Sequence, residues 1–135
     1  MWWWGAALAA VVSALTGAAT PAALRSCSPD ASPAPESSPS PALPDAAGDG
    51  PPDYAALVGP RFVLAVVVTS LLAGLLAFTR TPPPAWLAWA ALVGPGALCI
   101  VVDAATTWIP RALSLAMDAV AAIGIAVWAV AAHDP

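Results

Sequence analysis

Lysine is absent from this sequence, and four arginines are its whole basic complement. No basic stripe exists to meet phosphates, which excludes a nucleic-acid partner. Charge of either sign is scarce: 9% of residues are charged, against about 25% in soluble domains. A water-soluble fold could not dress its surface with so few, so the lipid bilayer is part of the solvent. Cysteine is rare as well. Cys27 lies in a polar stretch and Cys99 in an apolar run, and both read as unpaired small residues. Two thiols and one histidine do not make a closed four-ligand zinc site, and no metal or cofactor is expected. His133 stands at the end of the last apolar run and is expected to face solvent. No Ser-His-Asp arrangement, phosphate loop or nucleotide-binding pattern occurs.

What is present is apolar: 60% of 135 residues, enough for one small domain. Residues 1–20 form the first expected transmembrane helix, with Trp2, Trp3 and Trp4 as an anchor at headgroup level. No basic residue precedes this run, so it reads as a retained helix and not as a cleaved signal. Residues 21–57 are rich in Pro, Ser and Ala and hold most of the acidic groups of a chain with net charge −4. They predict an extended, disordered loop. Residues 58–135 form a three-helix membrane region, with spans at 62–78, 85–102 and 112–132. Ser70 and Gly74 have the four-residue spacing that lets helices approach closely in lipid. Gly94-Pro95-Gly96 predicts a kink or local unwinding in the middle of the third span. The expected fold is therefore an all-α membrane protein with about four transmembrane helices and a Pro-rich loop after the first. Arg25, Arg61 and Arg111 fall at one end of these spans and Arg80 at the other. The positive-inside rule then gives a multi-pass cell-membrane protein with its N-terminus outside and its Pro-rich loop in the cytoplasm.

Two acids remain to be explained, Asp103 at the end of the third span and Asp118 about two turns into the fourth. A carboxylate at a membrane depth is costly and is by default a candidate for function. Two carboxylates sharing one proton can activate water and protonate a leaving group, as aspartic proteases do. One carboxylate is half of such a site.

The pattern Asp103, five residues, Ile109-Pro110, two residues, Leu113-Ser114 resembles the first catalytic motif of the type IV prepilin (leader) peptidases, which are membrane aspartic proteases. The layout of a first span, a cytoplasmic loop and two spans before the Asp is also similar, over residues 1–132. The resemblance implies an aspartic endopeptidase that cuts leader peptides from type IV pilin or pseudopilin precursors, with Asp103 as a catalytic acid. Arg111 stands where the family has Asn or Asp. The family's second acid belongs to a Gly-x-Gly-Asp motif, which this sequence does not contain. The expectation is an N-terminal portion or shortened relative, inactive alone, whose second Asp comes from a partner polypeptide or, less in keeping with the family, from Asp118. The alternative class is a non-enzymatic multi-spanning protein, an assembly factor or transporter accessory subunit, in which Asp103 and Asp118 pair helices or relay protons.

Overall fold

The computed structural model describes residues 2–27 and 52–133. The described residues contain helices and turns and no strand. Four helical stretches are long and apolar enough to cross a bilayer: Trp3–Cys27, Pro60–Arg80, Pro83–Thr106 and Arg111–Ala132. Of the disordered loop expected over residues 21–57, residues 28–51 lie outside the described residues, while 21–27 and 54–57 are helical.

The first helix, α1 (Trp2–Cys27), packs antiparallel to α2 (Pro60–Arg80). Small residues make this contact close. Gly5, Ala9, Ser13 and Gly17 recur every fourth position and are buried, forming one stripe along α1. A methyl group on Gly5 would stand 2.6 Å from the Phe78 carbonyl oxygen, and one on Gly74 would stand 2.9 Å from the Ala9 Cβ. At Gly17 it would meet Val67 Cγ2. In lipid, where apolar side chains gain little by leaving the solvent, such close van der Waals contact is a main source of helix association.

Residues 21–27, expected in the loop, are instead the last turns of α1, and Pro21 lies inside the helix. An internal proline removes one hydrogen bond and costs about 3 kcal/mol. Tertiary packing offsets it. Leu24 is fully buried in a cluster with Tyr54, Val66, Leu98, Val102 and Leu113, and close van der Waals contact there works against the cost. Tyr54 reaches that cluster from a single 3₁₀ turn, Tyr54–Leu57. Asp53 caps this turn, its Oδ1 accepting the Ala55 N–H at 3.0 Å.

The third span is broken. A 3₁₀ turn (Pro83–Ala85) leads into α3 (Trp86–Ala91), then a π-helical segment (Leu92–Gly96), then α4 (Ala97–Thr106). The break falls on Gly94-Pro95-Gly96, because Pro95 cannot donate to the ladder and the wider π turn absorbs the loss. The final helix, α5 (Arg111–His133), follows Pro110 and returns antiparallel to the third span. A methyl on Gly96 would lie 3.5 Å from Met117 Sδ, and one on Gly124 would overlap the backbone of Ala88.

Candidate functional site

Asp103 sits in the last turn of α4, three residues before the helix ends, and is exposed. Its backbone carbonyl accepts the Thr107 N–H at 2.7 Å. Thr107 closes the helix in the left-handed region, with φ 59°, an uncommon conformation for a β-branched residue. Thr106 holds that turn from both sides. Its hydroxyl donates to the Val102 carbonyl at 2.9 Å and accepts from the Trp108 N–H at 3.2 Å. Pro110 then presents its carbonyl to Leu113 N–H at 3.0 Å and Ser114 N–H at 3.2 Å, starting α5.

Beside this hairpin lies a cleft of about 390 Å³ between the third span and α5. Asp103 and Ile109 both line it, with Trp89, Cys99, Ile100 and Met117. Asp103 is its one charged residue, and the remaining walls are apolar. The motif residues divide by task. Pro110 and Leu113 are buried and hold the hairpin to the core, Ser114 donates to the Arg111 carbonyl at 3.3 Å, and Ile109 stays exposed beside the acid.

Charge placement at the hairpin runs against the helix dipoles. Asp103 stands near the negative C-terminal end of α4, and Arg111 opens α5 at its positive end. Each arrangement costs roughly 0.3–1 kcal/mol at an exposed site. Helix stability does not explain either residue. Arg111 borders a second cavity of about 380 Å³ with Cys27, Tyr54 and Trp108. There burial pushes the Tyr54 phenol above its ordinary range, and the neighbouring Cys27 adds to the effect.

Asp118 does not line this cleft, although its charge acts on Cys99, which does. The register set by Met117 against Gly96 and Gly124 against Ala88 puts Asp118 level with Pro95. That is eight residues before Asp103, about 12 Å along the span at 1.5 Å per residue. Neither carboxylate forms a hydrogen bond or ion pair among the described residues. No group of three or more metal-ligating side chains occurs among them either.

Sequence reasoning passed over the cleft walls, although their spacing was available. Trp89, Leu92, Gly96, Cys99 and Asp103 recur at three- and four-residue intervals, which is one helical face. Thr107 gave no signal, because a left-handed threonine is set by the turn around it and not by its own preference. No known protein-family model, no curated protein and no solved structure matches this chain.

Proposed function

We propose that the chain supplies one catalytic acid, Asp103, of a prepilin-peptidase-like membrane aspartic protease acting on the leader peptides of type IV pilin or pseudopilin precursors. The observation that carries this reading is an exposed carboxylate at the end of a span, set in an apolar cleft beside the Ile109-Pro110 turn. A cleft of this kind suits an extended leader segment: apolar walls take its side chains, and the acid meets its backbone. Three arginines at the Asp103 end and one at the other support placing that end in the cytoplasm.

Hydrolysis needs one carboxylate to take a proton from water and a second, protonated, to give one to the leaving amine. Asp118 stands about 12 Å deeper along the span, and the second acid is assigned here to a partner polypeptide. The chain expressed with a prepilin should therefore leave the leader uncut. Adding a membrane polypeptide that carries a Gly-x-Gly-Asp motif should restore cutting, and Asp103→Asn should reduce it by about 10²–10⁴-fold, the range for a lost acid–base group. Processing that proceeds without the partner and survives Asp103→Asn would overturn the reading.

A further inference from the structure

Asp118 lies near the middle of the third span by register, yet its side chain is exposed on α5, and the neighbour its charge acts on is the Cys99 thiol, not a cation. A charge in the hydrocarbon centre costs at least about 2.5–3.5 kcal/mol, and such groups face a bundle interior or pair with another group. This chain has no cation to offer at that depth. It lacks lysine, and Arg25, Arg61, Arg80 and Arg111 all stand at or near helix ends.

The helix that carries Asp118 is also the barest of the four. Only 6% of its most apolar stretch is buried, against 28% for α1 and α2 and 50% for the third span. Leu113, Met117 and Gly124 face the rest of the molecule. Along the uncovered side run Leu115, Asp118, Ala122 and Ile125, all exposed and spaced three, four and three residues apart. That is the seam of a left-handed helix pair, with large residues at Leu115 and Ile125 and Ala122 leaving room beside the acid.

We propose that this seam docks a transmembrane helix of another polypeptide, one that brings a single Lys or Arg to the depth of Asp118. Charge complementarity selects this occupant. A second copy of the chain, packed in parallel, would set Asp118 against its own equivalent, two like charges at one depth. The proposal does not depend on the protease reading, since it makes no use of Asp103.

The test uses the full chain in phosphatidylcholine vesicles, donor-labelled at its N-terminal amine. The probe is an acceptor-labelled 22-residue Leu/Ala transmembrane peptide with one central Lys, compared with the same peptide carrying Leu there. Energy transfer should report at least tenfold tighter association of the Lys peptide. Asp118→Leu should abolish that preference. Ala122→Phe, which blocks the seam and keeps the charge, should do the same if Asp118→Leu fails to fold by circular dichroism. Equal association of the two peptides, or a preference that survives in a folded variant, overturns the proposal. So does energy transfer between labelled copies of the chain that is lost in Asp118→Leu, which would assign the seam to a second copy.

Discussion

Thr107 is the residue at which local preference and tertiary structure disagree most. A left-handed conformation costs an L-residue roughly 1–2 kcal/mol, and a β-branched side chain makes it rarer still. Thr107 is the one non-glycine with positive φ among the described residues. It ends α4 four residues after Asp103, so the same turn that strains Thr107 fixes where the acid points relative to Ile109. Strain of this kind persists only where the surroundings over-determine it, here through Thr106 and the Asp103 carbonyl. Thr107→Gly should relieve it and raise stability by about 1 kcal/mol, read as a higher unfolding midpoint in detergent micelles. An unchanged or lower midpoint would mean that the threonine's own hydrogen bond to the Thr106 carbonyl, 2.6 Å, outweighs the backbone cost.

The helices meet where side chains are smallest, and this decides which elements tolerate change. At Gly124 an added Cβ would lie 2.8 Å from the Leu87 carbonyl carbon and closer still to Ala88, so backbone, not a movable side chain, is in the way. Gly124→Ala should force α5 off α3 and cost about 1–3 kcal/mol, the usual range for overpacking. Gly59→Ala, whose new Cβ would find its nearest neighbour at 3.9 Å, is the control and should change far less. Thermal unfolding of both variants in the same detergent makes the comparison, and equal losses would mean that the α3–α5 contact is not close in solution. Part of this was legible in the sequence. Ser70 and Gly74 advertised a close approach, both are buried, and Pro95 announced the break in the third span. The matching stripe of Gly5, Ala9, Ser13 and Gly17 has the same four-residue spacing but is hidden among abundant alanines. The end of α1 was misplaced because Pro21 and Ser26 favour a loop locally, while the burial of Leu24 against Tyr54, on a distant turn, decides otherwise. Asp103 was legible as a costly letter in a membrane run. Its cleft was not, because the cleft exists only once α5 folds back beside the third span.

Composition alone counts the spans, since four apolar runs in a charge-poor chain have only the bilayer to enter. It does not say which span is central, because the most apolar span, α2, is not the most buried, and lipid does not sort helices by hydropathy. The third span is the pillar of the molecule and α5 its least covered part. What ties the whole together at the Asp103 end is one cluster: Leu24 from α1, Val66 from α2, Leu98 and Val102 from α4, Leu113 from α5, and Tyr54 wedged in from the short turn before α2. Tyr54 is therefore a reporter for the assembled bundle, and its titration gives a test. The folded state holds the phenol neutral, above its ordinary pKa of 10.0, mainly because burial penalises the phenolate and next because Cys27 is near. An unfolded chain releases that proton near pH 10 while the folded chain still keeps it. Between the two pKa values the folded state thus binds more protons, and stability falls as pH rises. The contribution is complete below about pH 10 and is lost above it. Unfolding midpoints in detergent between pH 8 and pH 11 should fall more steeply for the native chain than for Tyr54→Phe, which keeps the ring and has no phenol to ionise. Parallel slopes would show that Tyr54 leaves the cluster before the bundle opens, and that the turn carrying it is held apart from the four spans.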